Sequence, residues 1–240
     1  MLGHALYRTG LLGFPLEYAN SRNLAEWKQR LAKDSLHEVM DEIQKRRTSP
    51  NGVFSIKIHY GQIAQFGGFG NLVRMFPDSY YVLLTRSDVL RQAVSLSMAR
   101  QTGVWMSGQG GKGEDARYDF AEIDECLRRT ILHNSSWRYK LAATGCRYIE
   151  MDFDQVRDDL ACAIHRIAEF IGITMPAQNI PSEQVTRQQG SNTNDEWANR
   201  FRSEFDEFRE LLPRARPGLL GRLWRRLSGL DRNSPVRRRR

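Results

Sequence analysis

The chain has 240 residues, 40% of them hydrophobic and 27% charged, which is typical of a single globular domain with a sizeable core. Its net charge of +8 is concentrated at one end, because residues 213–240 contain ten arginines and one acid. The rest of the chain therefore carries about −1, which argues against a specific nucleic-acid-binding domain. Three widely spaced cysteines and five scattered histidines form neither a disulfide framework nor a metal-binding pattern, so no metal is expected.

The first predicted element is a short helix that ends in an irregular loop, within LYRTGLLGFPLEY at 6–18. Gly10 is placed as a helix C-cap glycine, and Gly13 and Pro15 favour irregular backbone after it. The loop carries Glu17 between aromatic neighbours. Apolar surroundings raise the pKa of a carboxyl group, which suits a general base, whereas an ordinary surface glutamate is the alternative.

The next elements are predicted to be a charged amphipathic helix at 24–47, a turn at 49–52, a strand at 53–59 and a partly helical segment at 61–76. Lys57 lies in this strand among apolar residues, where burying its amine is costly unless the amine is paired. It either reaches an anionic ligand or pairs with a carboxylate. His59, at the end of the strand, is interpreted as a satisfied polar residue near the sheet edge rather than as a catalytic group.

The most informative segment is YYVLLTRSDVLRQAVSLSMARQTGVW, which begins at residue 80. A buried strand at 80–85 runs directly into a helix at 87–102. Arg86 therefore lies at the carboxyl end of a strand, where open α/β sheets bind ligands and where a guanidinium suits a phosphate. Ser95, about two turns into the helix, is placed to add a hydroxyl to the same anion. The alternative is a solvated arginine that only closes the strand.

The remainder of the chain continues the alternation of helices and strands. The predicted elements are a loop at 106–117, a long helix at 119–144 interrupted near 134–136, a strand at 147–153, a helix at 154–171 and a final helix at 195–211. This order is typical of βαβ units, so it predicts an α/β fold with a parallel sheet flanked by helices. The glycine-rich run in the loop at 106–117 lacks the GK[ST] order of a Walker loop.

Four segments together resemble the bacterial trehalose 2-sulfotransferase family: TGLLGFPLEY at 9–18, NGVFSIKIHYGQ at 51–62, LLTRSDVLRQAVSLSMARQTGVW at 83–105 and NDEWANRF at 194–201. They span most of the chain. The resemblance implies a P-loop-like α/β fold. It also implies transfer of a sulfuryl group from 3′-phosphoadenylyl sulfate (PAPS) to a hydroxyl of a sugar or glycolipid, without a metal.

The same resemblance implies roles for individual residues. Glu17 falls on the family's catalytic base, and Arg86 and Ser95 fall on the arginine–serine pair that holds the 3′-phosphate of the nucleotide. Arg187, in a late polar loop, either closes over the nucleotide or is solvated. Lys57 either reaches the transferred group or a phosphate, or pairs with a carboxylate.

The residues that fall on the family's sugar-lining segment are Phe14, Pro15, Leu16 and Tyr18. Phe14 and Leu16 stand where the trehalose enzyme has polar residues, which puts trehalose itself in doubt. A less polar acceptor, such as a lipid-linked sugar, is the expectation that follows.

One part of the family pattern has no counterpart in the sequence. In relatives, a first strand enters an SxRSGST loop that holds the 5′-phosphosulfate end at a helix N-terminus. This sequence opens inside the corresponding helix. Without the first strand, the strands beside it in the sheet would expose unpaired backbone N–H and C=O groups. Two explanations are open: the natural start lies upstream, or the chain is a truncated non-catalytic relative that binds a nucleotide or a membrane. The consistent pattern of the remainder favours the first.

The domain is predicted to span 1–212, followed by a basic tail at 213–240. Leucines and Trp224 of the tail fall on one helix face flanked by arginines, which is typical of a membrane-surface helix, but a solubilising tail without a partner fits as well. Relatives imply a homodimer. The sequence has neither a signal peptide nor an apolar run long enough to span a membrane, so a cytoplasmic protein is expected, either free or peripheral at the inner membrane surface.

Overall fold

The structure is a computed structural model that describes residues 2–105, 115–181, 192–207 and 209–212. The chain divides into two units, Met1–Glu204 and Phe205–Arg240, and the described helices and strands all lie in the first. In chain order they are α1 (Leu2–Arg8), α2 (Ser21–Leu31), α3 (Leu36–Arg47), a 3₁₀ helix (Tyr60–Phe66), α4 (Phe69–Met75), β1 (Tyr80–Thr85), α5 (Val89–Thr102), α6 (Phe120–Thr144), β2 (Arg147–Asp152), α7 (Phe153–Asp158), α8 (Leu160–Phe170), a 3₁₀ turn (Ala177–Asn179) and α9 (Asn192–Glu204). The glycine-rich run, Arg187 and the basic tail lie outside the described residues.

The two strands form a parallel pair in which Tyr80 lies opposite Arg147 and Thr85 opposite Asp152. Both strands were predicted from their apolar patterns, and their parallel pairing confirms the βαβ interpretation, because α5 and α6 supply the long crossover that parallel strands need. Two described strands do not define the strand order of a P-loop-like fold, so that part of the prediction stays a prediction.

The strand predicted at 53–59 is not formed, and these residues belong to no helix or strand. Its backbone groups bind loops instead of a neighbouring strand: the Lys57 N–H donates to the Leu16 carbonyl (3.0 Å), and the Val53 carbonyl accepts from the Ser49 N–H (2.8 Å). The predicted alternation of side chains still holds, because Phe54, Ile56 and Ile58 pack against an apolar cluster while Lys57 and His59 are exposed. Periodicity therefore indicates the exposed face correctly without guaranteeing a ladder.

The single helix predicted at 24–47 is wrong, because the chain breaks between α2 and α3. Ala32 adopts a left-handed conformation (φ 52°, ψ 48°) after α2. Ser35 then starts α3 with a capping box, in which its hydroxyl accepts from the Glu38 N–H (3.2 Å) and the Glu38 carboxylate accepts from the Ser35 N–H (3.4 Å). The Ser-x-x-Glu spacing was the signal that the periodicity concealed.

Three further helix predictions need correction. α6 runs without interruption through 134–136, because tertiary packing along its length outweighs the weak helix propensity of Asn and Ser. The helix predicted at 154–171 is two helices, separated at Asp159, whose carboxylate accepts from the Cys162 N–H (2.8 Å) and so begins α8. The last helix begins and ends earlier than predicted, at Asn192–Glu204.

Three clusters of buried apolar side chains hold the first unit together. One joins α1 to α7 and α8, the second packs α2, α3 and α4 against the loop that follows α1, and the third joins α5, α6 and α9. Their central members include Ile164 in the first, Ile43 in the second and Ile123 in the third, all fully buried. None of the described helices is long and apolar enough to cross a membrane.

Candidate functional site

The loop between α1 and α2 is fixed against residues 49–57 by hydrogen bonds from both sides. The Gly13 N–H donates to the Ser49 hydroxyl (2.8 Å), and the Ser55 hydroxyl donates to the Leu12 carbonyl (2.6 Å). Gly13 has φ +69°, and a Cβ there would lie 2.5 Å from Ser55 Oγ and 2.7 Å from its backbone nitrogen. Only glycine allows this close approach. The loop is therefore a rigid support for the side chains that follow.

Glu17 lies in this loop and is held by three donors. Its Oε1 lies 2.7 Å from Lys57 Nζ and 3.0 Å from His59 Nε2, and its Oε2 accepts from Gln62 Nε2 at 3.1 Å. The carboxylate side chain is 27% exposed and that of His59 is 60% exposed. Of the two alternatives for Lys57, the structure therefore shows the ion pair with a carboxylate, on an open surface.

The pKa of Glu17 is shifted in the direction opposite to the one expected. The hydrogen bond from His59 is the largest influence, and with Lys57 it outweighs burial and lowers the pKa of Glu17 to about 2. The expectation of a raised pKa was wrong because it considered only the apolar neighbours in the loop. These two donors come from a segment about 40 residues further on, in which Lys57 and His59 alternate with half-buried apolar residues and both reach Glu17.

The four predicted sugar-lining residues are differently placed. Phe14 is half-buried, stacks on the exposed Tyr7 (ring centroids 4.0 Å apart) and lies beneath the guanidinium of Arg47 (5.1 Å). Pro15 is buried, and Leu16 packs against the second apolar cluster.

Tyr18 is 1% exposed, and its hydroxyl donates to the Phe14 carbonyl (2.6 Å). Burial raises the pKa of Tyr18 to about 12. In this structure Tyr18 shapes the loop from inside, whereas Phe14 lies nearer its surface.

Arg86 lies at the carboxyl edge of the strand pair, as predicted. Its guanidinium covers the ring of Phe153, which follows β2, at 4.1 Å. Burial lowers the pKa of Arg86, while the nearby Asp154 acts against that change. Within the described ranges, Arg86 has no carboxylate within 4.0 Å, and its side-chain N–H groups donate to no protein acceptor. A half-buried cation with uncommitted donors is well suited to bind a phosphate.

The two strand ends at this edge are tied together beside Arg86. Asp152 Oδ2 accepts from the Ser87 N–H (2.9 Å) and the Ser87 hydroxyl (2.6 Å), and its other oxygen accepts from the Asp154 N–H (2.9 Å). The Ser87 hydroxyl bond contributes most to lowering the pKa of Asp152. These bonds fix the backbone on both sides of Arg86.

Ser95 lies on α5 and contacts the first turn of α9. Its Oγ accepts from the Nδ2 of the buried Asn194 (3.0 Å), and an ion pair between Arg91 and Asp195 (2.7 Å) lies beside it. Because Asn194 uses a lone pair of Oγ, the Ser95 O–H remains able to donate to an anion. Asn194 was not singled out from the sequence, since a lone Asn at the start of a helix usually only caps it.

The structure thus forms two groups, one around Glu17 and one around Arg86 and Ser95. Among the described residues no hydrogen bond or ion pair joins these two groups. His59 and Gln62 were missed as members of the first group, although the Lys-x-His alternation and the three-residue step to Gln62 were visible. Across the described ranges no three His, Cys, Asp or Glu side chains are grouped so as to hold a metal ion.

The chain matches the Stf0 sulphotransferase family over residues 1–204 and therefore belongs to it. This confirms the resemblance found in the sequence. A trehalose 2-sulfotransferase of Mycobacterium tuberculosis (strain ATCC 35801 / TMC 107 / Erdman) is 25% identical over an alignment of 243 positions. The alignment covers 85% of this chain and 90% of the relative. A trehalose 2-sulfotransferase of Mycolicibacterium smegmatis (strain ATCC 700084 / mc(2)155) is 26% identical over 197 residues, covering 75% and 72%.

Proposed function

We propose that the protein transfers a sulfuryl group from PAPS to a hydroxyl of a sugar or glycolipid. The observation that carries this proposal is the match to a sulfotransferase family along residues 1–204. Two features of the site support it. One is a carboxylate that stays ionised on an accessible surface, and the other is a guanidinium with uncommitted donors at the carboxyl edge of the strands.

The donor nucleotide would be held by Arg86 and Ser95. The planar fork of Arg86 binds two oxygens of the 3′-phosphate, and the Ser95 O–H donates to a third. Asn194 holds Ser95 in place from α9. Arg187 is proposed to close over the nucleotide from the segment before α9. These contacts fix the position of the sulfur relative to the acceptor.

The reaction is an in-line displacement at sulfur. The acceptor hydroxyl forms a new oxygen–sulfur bond while the bond between sulfur and the phosphate oxygen breaks, and 3′-phosphoadenosine 5′-phosphate leaves with the electron pair. Glu17 is the general base of the site and is ionised at any pH above about 2. Lys57, whose ammonium lies 2.7 Å from the same carboxylate, is proposed to stabilise charge on the transferred group as well.

The acceptor would lie against the loop of residues 14–18. The relatives carry trehalose in their names, and a sugar is the corresponding acceptor class here. Phe14 presents an aromatic surface stacked on Tyr7, and Leu16 adds an apolar one, with Pro15 and Tyr18 packed behind them. This surface favours an acceptor with an apolar part, such as a glycolipid.

The direct test is transfer of labelled sulfate from PAPS to a panel of trehalose, other sugars and glycolipids. We expect labelled product with at least one glycosidic acceptor and release of an equal amount of 3′-phosphoadenosine 5′-phosphate. Absence of transfer, together with absence of binding of 3′-phosphoadenosine 5′-phosphate, would contradict the proposed function.

The nucleotide site is tested by Arg86→Ala. This variant is expected to weaken binding of 3′-phosphoadenosine 5′-phosphate by about tenfold or more, because a charge-assisted phosphate contact is lost, and to affect AMP much less. Arg147→Ala is a matched control: its guanidinium also stacks on an aromatic ring (Tyr80, 3.9 Å), but at the opposite edge of the strands. Equal loss of both nucleotides in Arg86→Ala would remove Arg86 from the 3′-phosphate site.

A further inference from the structure

Arg47 is the last residue of α3, and it differs from the two basic residues before it. Lys45 and Arg46 both reach the carboxylate of Glu42, at 2.8 Å and 3.7 Å. The side chain of Arg47 is half-buried. Among the described residues its guanidinium has no carboxylate within 4.0 Å and donates to no protein acceptor. Its five N–H groups are therefore available to a ligand.

Two aromatic rings hold this guanidinium in place. Its Cζ lies 5.1 Å from the ring centre of Phe14 and 5.9 Å from that of Trp27 on α2. Contacts with aromatic rings attract the cation as a whole and leave its N–H groups able to bind oxygen atoms. Because the rings already restrict the side chain, little further conformational entropy is lost when an anion binds to it.

Arg47 lies next to the surface proposed for the acceptor. Ser49, two residues after it, accepts a hydrogen bond from the Gly13 N–H (2.8 Å) and so ties the end of α3 to the loop. Phe14, which contacts the guanidinium, lies three residues before Glu17. Their Cα atoms are therefore at most about 11 Å apart. An anionic group at Arg47 and a hydroxyl at Glu17 fit on one glycoside.

We infer that Arg47 binds an anionic group of the acceptor, so that the substrate class is an acidic glycoside with a carboxylate or a phosphate near the hydroxyl that is sulfated. This inference rests on the proposed function and narrows its acceptor. The fork of guanidinium N–H groups matches two oxygens of either anion. The nucleotide has its own proposed contacts in Arg86 and Ser95, which leaves Arg47 for the acceptor.

The test uses pairs of acceptors that differ by one anionic group. Octyl glucoside and octyl glucuronide test a carboxylate, and trehalose and trehalose 6-phosphate test a phosphate. With PAPS as donor, the unchanged protein is expected to show a kcat/KM about tenfold or more higher for the anionic member of at least one pair, because a charge-assisted contact is gained.

Arg47→Gln should remove that preference. We expect it to raise KM at least fivefold more for the anionic member than for the neutral one, while kcat changes alike for both. A purely structural role of Arg47 would instead impair both members of a pair equally. Arg47→Lys keeps the charge but loses the planar fork, so it should restore only part of the preference.

Arg30→Gln is the matched control. The guanidinium of Arg30 also contacts the ring of Trp27, at 5.8 Å, but Arg30 is exposed. Its replacement removes the same charge from the same region without removing the proposed contact. Since an exposed charge is screened at physiological salt, the preference should stay within about twofold of that of the unchanged protein.

Three outcomes would overturn the inference and leave the proposed function intact. The first is equal kcat/KM for both members of both pairs in the unchanged protein. The second is a preference that persists in Arg47→Gln, and the third is an equal loss of preference in Arg30→Gln.

The proposed function fails instead if the unchanged protein transfers no sulfate and binds no 3′-phosphoadenosine 5′-phosphate. Calorimetric titration of the same four acceptors into the unchanged protein and Arg47→Gln makes the comparison without turnover. Equal affinities for the neutral and anionic members in the unchanged protein would then still overturn the role of Arg47.

Discussion

Glu17 couples the candidate site to the stability of the fold. Its pKa is lowered from 4.5 to about 2 in the folded protein, chiefly by the His59 hydrogen bond. A depressed carboxyl pKa stabilises the folded state fully above the unfolded value, near pH 4.5, and this contribution is lost as the pH falls towards 2. After allowance for solvent around the exposed Lys57 and His59, it amounts to about 2 kcal/mol.

The corresponding prediction compares denaturant unfolding of the unchanged protein and Glu17→Gln at pH 6 and pH 3. The variant should be less stable by about 2 kcal/mol at pH 6 and by less than half of that at pH 3. Glu26→Gln is the control, because its ion pair with Arg22 is exposed and should change stability by under ~0.5 kcal/mol at both pH values. A difference for Glu17→Gln that does not shrink with acid would show that its ion pairs contribute nothing to stability.

Gly13 is the backbone position on which the loop depends. Gly13→Ala combines a positive φ with a Cβ that meets the backbone of Ser55, whereas Gly10→Ala has a similar φ (+71°) and open space around it. We expect Gly10→Ala to cost about 1 kcal/mol and Gly13→Ala at least 2 kcal/mol in the free energy of unfolding. Thermal or urea unfolding of both variants measures this. Equal costs would mean that the approach to Ser55 is easily relaxed.

At the scale of elements, the sequence predicted what local signals determine. β1, α5 and β2 lie within two residues of the predicted ranges, because each combines an apolar run with a clear start or stop. The position of Arg86 at the edge of the strands was predicted from the junction between β1 and α5. The segment at 53–59 and the partners of Glu17 did not follow, since ladder formation and a carboxylate's pKa depend on residues distant in the chain. The sequence shows that Glu17 carries a charge, but it does not show which donors lie next to that carboxylate in the fold.

The break between α2 and α3 gives an element-scale prediction. Ala32 has a left-handed conformation that glycine adopts without strain, so Ala32→Gly should stabilise the protein by about 0.5–1 kcal/mol. Ala25→Gly, at an exposed position inside α2, is the control and should destabilise it by about 1 kcal/mol. The measurement is the urea midpoint of each variant. A loss of stability in Ala32→Gly would indicate that unfolded-chain entropy outweighs the relief of strain.

At the scale of the whole unit, the candidate site draws on two of the three apolar clusters. The second cluster supports the Glu17 loop, and the third places α9 against α5, where Asn194 meets Ser95. The part of the site proposed to bind the nucleotide therefore depends on how firmly α9 is attached. Besides the Asn194–Ser95 hydrogen bond, its contacts include the exposed Arg91–Asp195 ion pair and the buried side chain of Trp197.

Magnitudes decide which of these contacts holds α9. The side chains of Arg91 and Asp195 are 43% and 55% exposed, so their pair contributes less than about 1 kcal/mol. Trp197 is buried edge-to-face against Tyr118 (5.8 Å), and truncating such a ring costs about 3–5 kcal/mol. Urea unfolding should therefore show a much larger loss for Trp197→Ala than for Asp195→Ala. If Asp195→Ala were the more damaging change, α9 would be held by charge, and its attachment would weaken with added salt.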